Sequence, residues 1–399
     1  MDLKNQINSL VSAKFMEEMI SIRRTLHRHP ELSFNEHNTS ATIRGLLDQW
    51  GISYRYPFVE TGIVAMIKGA GKGLCVALRT DMDALPIKEN SGVDFQSEVS
   101  GVMHACGHDV HMTSLLGAIR ILDQLKDQFP GELLFVFQPG EERVPGGAKL
   151  MLEEGVFKER KPDLIIAQHV LPDMEAGHVG FKEGTYMASS DEIYITVQGK
   201  GGHAALPQQI NDPILMASHI LITLQQEINR RSPSGVPTVL SFGKVVADGA
   251  VNVIPDEVRL EGTFRTMNES WRKKAHGLIE QIASGIASSM GGSCLLEIRH
   301  GYPVLHNNES LTRLAKEKAS AFLGPGNVEE LDIRMTAEDF AWFALAIPGT
   351  MYRLGVKEPG QEKIYPLHTP DFRVDESALR TGISLLAYLS IELLQTGAG

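Results

Sequence analysis

The densest group of chemically active side chains lies in one short stretch, His104-Ala-Cys106-Gly-His108-Asp-Val-His111. A thiolate and a neutral imidazole are good ligands for borderline divalent metals, and Gly107 would let the backbone turn so that Cys106 and His108 face one ion. The alternative is a loop whose histidines cap a helix and whose cysteine is buried. A structural zinc finger is less favoured, because no second Cys/His pair lies at finger spacing.

Two neighbouring carboxylates, Glu141 and Glu142, follow a short apolar run through Gln-Pro-Gly. One carboxylate can bind metal while the other removes a proton from a nearby water. Such a pair by itself is more often part of a solvated loop, so its position at the end of a predicted strand carries the interpretation. Asp81 and Asp83 follow another apolar run, where a role in a turn or a cap is the alternative.

Two single histidines extend this set: His169 ends a third apolar run, and His368 lies in Tyr-Pro-Leu-His-Thr-Pro. Either one alone is more often a structural histidine than a ligand. Taken together, the candidates supply enough N, O and S ligands for two ions that share a bridging water. These candidates are Cys106, His108, Glu142, His169 and His368. Zinc, manganese, cobalt and nickel all suit such a set, so the sequence leaves the metal open.

Three further residues lie in the middle of the chain. His203 belongs to a glycine-rich turn, for which a loop without function is the alternative. Asn252 and Arg265 could hold a substrate carboxylate, the arginine through a bidentate contact. A surface salt bridge is the alternative for Arg265.

These residues require a scaffold that brings them together. The apolar runs at 74–78, 133–137 and 164–167 predict buried strands, each followed at once by the candidate residues. In open α/β sheets, ligands collect beyond the carboxyl ends of the strands, so we expect these side chains to converge there. Helical spacing predicts helices over 9–29 and 35–50, and a crossover helix over 110–125.

The pattern changes after residue 184. Strands at 192–197, 238–246, 257–264 and 294–299, with helices at 213–230 and 269–290, give the βαββαβ order of a ferredoxin-like sandwich. Helices at 310–323 and 376–394 and a strand at 351–354 then resume the α/β pattern. We therefore predict an α/β catalytic domain with a mixed sheet and flanking helices, formed by 1–184 and 301–399, and an inserted dimerisation or lid domain at 185–300.

Composition excludes several classes of protein. The 399 residues carry a net charge of −11 without a basic run, which argues against nucleic-acid binding. The three cysteines, Cys75, Cys106 and Cys294, are far apart in the sequence, so we do not expect a disulfide framework. We expect a cytoplasmic location instead. The absence of a long apolar stretch predicts a soluble chain without a membrane anchor.

Five motifs, taken together, are highly specific: Leu26-His-Arg-His-Pro-Glu-Leu, Arg79-Thr-Asp-Met-Asp-Ala-Leu-Pro, Met103-His-Ala-Cys-Gly-His-Asp, Phe137-Gln-Pro-Gly-Glu-Glu and Gly199-Lys-Gly-Gly-His-Ala. Over nearly its whole length the chain resembles the hippurate hydrolase and N-acyl-amino-acid amidohydrolase family of metallopeptidases. This family is a branch of the aminoacylase and carboxypeptidase group and includes plant auxin-conjugate hydrolases.

The resemblance implies two divalent ions per subunit, held by the five candidate ligands. It implies that Glu141 is the general base on a metal-bridging water and that Asp81 orients a metal ligand. Arg79 stands where the wider group commonly has a histidine ligand, and Gly140 where many members have alanine. His203 matches a histidine thought to reach the partner subunit's active site, so a functional homodimer is expected.

The implied activity is hydrolysis of benzoyl- or acetyl-type N-acyl amino acids to a carboxylic acid and a free amino acid. A dipeptidase or carboxypeptidase, or an N-acetyl-diamino-acid deacetylase, on the same scaffold is the alternative. A non-catalytic metal-binding module would be a different class of protein. The presence of Glu141 beside all five candidate ligands argues against that class.

Overall fold

The computed structural model describes residues 2–396, which form two compact units. Unit 1 takes the chain up to Gly184, then His306–Asp332, and then the chain from Asp339 onward. Unit 2 consists of Thr185–Leu305 and Ile333–Glu338. It thus extends five residues beyond the predicted 185–300 segment at its carboxyl end and includes a second, short stretch of chain.

The first part of unit 1 alternates helices and strands. Its elements are α1 (Leu3–Leu10), α2 (Ala13–Arg28), α3 (His37–Trp50), β1 (Ser53–Phe58), β2 (Gly62–Lys68), β3 (Cys75–Asp81), α4 (His108–Gln124), β4 (Glu132–Gln138), α5 (Gly147–Glu153), β5 (Leu164–Glu175) and β6 (Val179–Phe181), and β7 (Gly184–Met187) follows where the chain passes into unit 2. The single helix predicted over 9–29 is wrong. The Ser12 hydroxyl accepts a hydrogen bond from the Phe15 N–H and so starts a new helix.

Unit 2 contains β8 (Asp191–Gln198), β9 (Gly202–His203), α6 (Pro213–Arg231), β10 (Thr238–Val246), β11 (Val253–Ile254), β12 (Glu257–Thr266), α7 (Glu269–Ser289) and β13 (Ser293–His300). Its main sheet is antiparallel, in the order β10-β12-β8-β13. Alternate side chains of β8 are buried, because that face packs on the helices. With the short β9 and β11 set aside, the element order agrees with the predicted βαββαβ pattern. The role of a lid or dimer contact stays a prediction.

The rest of the chain contains β14 (Leu305–Asn307), α8 (Glu309–Leu323), β15 (Val328–Glu330), α9 (Phe340–Ala346), β16 (Gly349–Lys357) and α10 (Ala378–Gln395). Short 3-10 turns lie at Lys126–Gln128, Pro207–Gln209 and Pro325–Asn327. Across residues 2–396, no helix is long and apolar enough to cross a membrane.

The large sheet has the order β1-β2-β4-β3-β5-β16-β6-β15. β3 is parallel to β4 and β5, and β16 is parallel to β5, whereas β1 with β2 and β2 with β4 are antiparallel. The predicted α/β class with a mixed sheet is confirmed. Asp81 pairs with Gln138, and Arg79 pairs with Ala167, so His169 lies level with Asp81. Three adjacent parallel strands therefore bring their candidate residues to one edge.

The helix α4 fixes the loop that precedes it. Nearly every residue of this helix from His108 to Leu122, polar or apolar, is buried between the sheet and the helices α2 and α10. Each fully buried leucine or isoleucine contributes about 1.5–3 kcal/mol of hydrophobic stabilisation. The first turn of α4 is thus held rigidly against the carboxyl ends of β3 and β5.

Candidate metal centre

Gly107 shapes the loop that carries Cys106 and His108. It caps α4 with φ +80°, and a Cβ there would lie 2.6 Å from Val170 Cγ2. Only glycine combines this left-handed backbone with so close an approach. The turn predicted at this position is confirmed, and it places Cys106 just before the helix and His108 at its first residue.

The ring of His108 is oriented by the backbone of Asp83. His108 Nδ1 donates to the Asp83 carbonyl at 2.8 Å, which leaves Nε2 without a hydrogen-bond partner within residues 2–396. Burial alone would lower the pKa of His108, but the charges of Asp81, Asp83 and Glu142 raise it to about 10. The surroundings of Nε2 are therefore strongly negative, which suits a bound cation.

Cys106 and His169 face each other across the strand edge. His169 Nδ1 donates to the Val170 carbonyl at 2.8 Å, and its Nε2 lies 3.5 Å from Cys106 Sγ. Burial lowers the pKa of His169, and burial with the charges of Glu142 and Glu141 raises the pKa of the Cys106 thiol. The imidazole is thus neutral, with Nε2 as the nitrogen that can bind metal. β5 continues to Glu175, so His169 lies within the strand and not, as predicted, after its end.

His368 comes from a distant loop. It adopts φ +60°, and its N–H donates to the Ala105 carbonyl at 2.9 Å, which ties this loop to the Cys106 segment. The half-exposed ring places Nε2 3.1 Å from Glu142 Oε1. Glu142 is held in turn, because its N–H donates to Asp83 Oδ2 at 2.9 Å.

The structure brings all five predicted ligands together. Three overlapping groups have ligand atoms within 4.8 Å of one another: Cys106, His108 and His169; Cys106, Glu142 and His368; and His108, Glu141 and Glu142. A thiol, three imidazoles and carboxylates match the donor set of a borderline divalent metal. With the unpartnered His108 Nε2, this donor set fits the metal ions that the sequence predicts.

The contacts of Asp81 differ from its predicted role. Asp81 Oδ1 accepts from His111 Nδ1 at 2.7 Å, and Oδ2 accepts from Arg79 at 2.9 Å. His111 Nε2 accepts from the Val170 N–H at 2.9 Å, so both ring nitrogens are occupied. Asp81 therefore orients His111, which is not one of the five predicted ligands, while the backbone of Asp83 orients His108.

Sequence reasoning missed the groups behind Arg79. This buried guanidinium also donates to Gln138 at 2.8 Å and to Asp339 at 2.9 Å. Gln138 lies inside the Phe-Gln-Pro-Gly-Glu-Glu motif, which was a usable signal. Asp339 had no local signal, because its partners are distant in sequence.

The three candidates in unit 2 do not form one cluster. β9 pairs with β11, with Val253 opposite His203, and the Ala204 N–H donates to the Asn252 carbonyl at 3.1 Å. Asn252 and the short β11 come just before Glu257, the first residue of β12. Arg265 lies near the opposite end of β12, about 26 Å from Glu257 at roughly 3.3 Å per residue. His203 and Asn252 can share a ligand within one chain, whereas Arg265 cannot join them.

Residues 77–392 match the sequence model of peptidase family M20/M25/M40, and the chain belongs to this family. It is accordingly a member of a family of hydrolases that act on amide bonds. The predicted family resemblance is confirmed.

Individual relatives are similar over nearly their whole length. N-acetylcysteine deacetylase of Bacillus subtilis is 38% identical over 383 residues, 96% of this chain and 98% of that protein. IAA-amino acid hydrolase ILR1-like 4 of Arabidopsis thaliana is 37% identical over 384 residues, 95% of this chain and 86% of that protein. The crystal structure of the Bacillus subtilis YxeP protein, a dinuclear metal binding peptidase from the M20 family, superposes with a TM-score of 0.82 at 35% identity, covering 96% of this chain and 100% of that one.

Proposed function

We propose that this chain is a metal-dependent amidohydrolase that cleaves N-acyl amino acids of the benzoyl or acetyl type to a carboxylic acid and a free amino acid. The observation that carries the proposal is a clustered ligand set, with Cys106, His108 and His169 buried, and a second carboxylate, Glu141, in the same group as His108 and Glu142. A site built only to bind metal has no need of that second carboxylate.

The residues that would hold two divalent ions are Cys106, His108, Glu142, His169 and His368. Bound there, the ions would polarise the scissile amide carbonyl and acidify water. The metal is zinc, manganese, cobalt or nickel, all of which suit this mixed donor set. The dinuclear site of the YxeP protein supports two ions in place of one.

Glu141 is the general base and then the general acid. It is 6% exposed, so little bulk water competes with the water that it activates. Its carboxylate takes the proton from the attacking water and later delivers it to the departing amine, so the carboxylate is regenerated. The carboxylate of Glu142 stays with the ligands, because the Asp83 carboxylate holds its backbone.

The N-acyl amino acid substrate is supported by the names of two relatives, a deacetylase of N-acetylcysteine and a hydrolase of IAA-amino acid. Both names describe an acyl group joined to an amino acid. Arg265 of one subunit, through paired N–H donors, and Asn252 of the other subunit would bind the substrate carboxylate. Arg265 is half-buried with a pKa lowered by burial, so a carboxylate there would gain a strong partner.

The test is Glu141→Gln, which preserves size and removes the base. We expect hydrolysis of benzoyl- and acetyl-amino acids to fall at least about 100-fold in kcat while two metals per subunit are retained. Glu153→Gln is the matched control, since this exposed residue of α5 forms an ion pair with Lys149 and lies outside the candidate ligand groups described above. Near wild-type turnover by the Glu141 variant would refute its role.

A substrate panel tests the bond and the acyl group. N-benzoyl and N-acetyl amino acids, unblocked dipeptides and N-acetyl-diaminopimelate are assayed with each reconstituted metal. We expect the blocked amino acids to give the highest kcat/KM. Faster turnover of dipeptides would favour a peptidase, and metal binding without any hydrolysis would favour a non-catalytic module.

A further inference from the structure

The turn that carries Glu141 is fixed by two buried carboxylates. The N–H of Gly140, on one side of Glu141, donates to Glu36 Oε1 at 2.8 Å. The N–H of Glu142, on the other side, donates to Asp83 Oδ2 at 2.9 Å. The backbone on both sides of the proposed base is thus anchored by a hydrogen bond to a buried carboxyl group, and the bond to the ionised Asp83 is charge-assisted.

Both anchors are connected to one short segment of chain, residues 33–36. The Ser33 hydroxyl donates to Asp83 Oδ2 at 2.6 Å. Glu36 Oε1 also accepts from the Phe34 N–H at 2.9 Å, and Oε2 accepts from Thr61 Oγ1 at 2.8 Å. Glu36 is fully buried, so no solvent can replace these contacts.

We propose that Glu36 is a positioning residue for the hydrolysis, which holds the Gly140 peptide and thereby aims the Glu141 carboxylate. The proposal rests on the function proposed above. Glu36 contacts the turn at the backbone N–H of Gly140, so it acts through the backbone of the turn. Removing its acceptor leaves the buried N–H groups of Gly140 and Phe34 unsatisfied, and the turn shifts to find new partners.

Position 36 needs a hydrogen-bond acceptor on a side chain of the size of glutamate. A glutamine at position 36 keeps one oxygen for the Gly140 and Phe34 N–H groups, and its NH₂ can donate to the Thr61 hydroxyl, which rotates to accept. A leucine at this position keeps most of the volume and removes every acceptor. The pair Glu36→Gln and Glu36→Leu therefore separates hydrogen bonding from packing.

Glu31 provides the matched control. It lies in the same region, and its carboxylate accepts from the backbone and side chains of Asn38 and Thr39 at the start of α3. None of these bonds reaches the Glu141 turn. Glu31→Leu therefore imposes the same chemical change on the cap of a helix.

The experiment measures kcat, KM and hydrogen exchange of the metal-loaded enzymes by mass spectrometry. We expect Glu36→Leu to lower kcat about 10- to 100-fold with KM changed less than about threefold, because a misplaced base impairs the chemical step. Exchange should accelerate at least about tenfold in the peptide that spans residues 138–142. Glu36→Gln should restore both quantities to within about threefold of wild type, and Glu31→Leu should accelerate exchange only at the start of α3.

Exchange as fast as wild type in Glu36→Leu would overturn the proposal, as would accelerated exchange without loss of kcat. Equal losses in the Gln and Leu variants would overturn it too, because glutamine keeps the acceptor. If the wild type hydrolyses no N-acyl amino acid, the proposed function fails, and the exchange data alone still decide whether Glu36 holds the turn.

Discussion

At the scale of single residues, the hydrogen bonds of each histidine decide what it can do. His108 and His169 each use Nδ1 on a backbone carbonyl and keep Nε2 for a ligand role. His111 uses both nitrogens and has none to offer. Three histidines of similar burial therefore divide into two candidate ligands and one structural group, although the sequence shows only three identical side chains.

Cys106→Ser tests the thiol as a ligand. Serine keeps the shape but is a poor ligand for a borderline metal, so we expect metal affinity to fall at least about 100-fold. The measurement is metal content after dialysis against graded chelator. Cys75→Ser is the control, because Cys75 is also buried, in β3, but belongs to none of the three ligand groups described above. Equal metal retention by both variants would argue against Cys106 as a ligand.

Glu36 also predicts a pH dependence of stability. Burial, and then the charge of Asp83, raise the pKa of Glu36 from 4.5 to about 7 in the folded protein. Between pH 4.5 and pH 7 the folded protein keeps a proton on Glu36 that the unfolded chain has lost. The contribution of this proton to the free energy of unfolding is full below pH 4.5 and disappears as the pH rises through 7. The loss amounts to ~3 kcal/mol.

Glu36→Gln removes this titration. We expect the free energy of unfolding of the variant, relative to wild type, to increase by a few kcal/mol between pH 5 and pH 8. Denaturant unfolding of chelator-treated protein measures it, since bound cations near Asp83 would themselves stabilise the carboxylate. A difference between variant and wild type that is constant with pH would contradict the prediction.

At the scale of elements, the Glu141 turn depends on how β4 joins α5. Gly147 begins α5, and its N–H donates to the Gly140 carbonyl at 3.0 Å. A Cβ on Gly147 would lie 1.7 Å from the Pro139 carbonyl oxygen. The start of the helix and the turn before it are therefore packed backbone against backbone, with no side chain that could move aside.

Gly147→Ala should displace the turn. We expect a loss of stability of about 1–3 kcal/mol and a fall in kcat of more than about tenfold. Gly45→Ala is the control, because that glycine lies within α3 with nothing within 4 Å of its Cβ, and alanine there should stabilise by about 0.5–1 kcal/mol. Melting temperature and initial rates measure both variants; unchanged kcat in Gly147→Ala would show that the turn tolerates the shift.

At the scale of the whole molecule, unit 2 holds His203 and Asn252 in and beside the small β9-β11 sheet, whereas Arg265 lies near the far end of β12 from Glu257. One small substrate cannot contact both ends of the same unit. If all three residues serve hydrolysis, two different subunits must supply them. This separation supports the expected homodimer or higher homo-oligomer, in which the exposed His203 would reach the partner's site and stabilise the oxyanion that forms during hydrolysis.

Mixing two inactive variants tests this arrangement. Under conditions that exchange subunits, His203→Ala and Glu141→Gln should together regain up to about a quarter of wild-type activity, because a mixed dimer has one site with both residues intact. Light scattering of each variant checks that it remains oligomeric. A mixture no more active than its components would count against a contribution in trans.

Local features of the sequence were enough to predict the class of fold and the candidate ligands. Ligand types, glycine turns and apolar runs are local features, so Cys106, His108 and the strands that precede Asp81 and Glu141 could be predicted directly. The family resemblance then separated Glu141 from Glu142. Helix boundaries were less certain, since the Ser12 cap that divides α1 from α2 competes with an unbroken apolar pattern.

The tertiary structure was needed to show which ring nitrogens and carboxylate oxygens are available to bind a ligand. The contacts of Arg79 with Asp339, of Glu36 with Gly140 and of His108 with the Asp83 carbonyl join distant parts of the chain. Hydrogen bonds of this kind depend on strand register and loop geometry, which no short motif encodes. The sequence predicts the candidate ligands, whereas tertiary packing sets their orientation and the groups that hydrogen-bond to them.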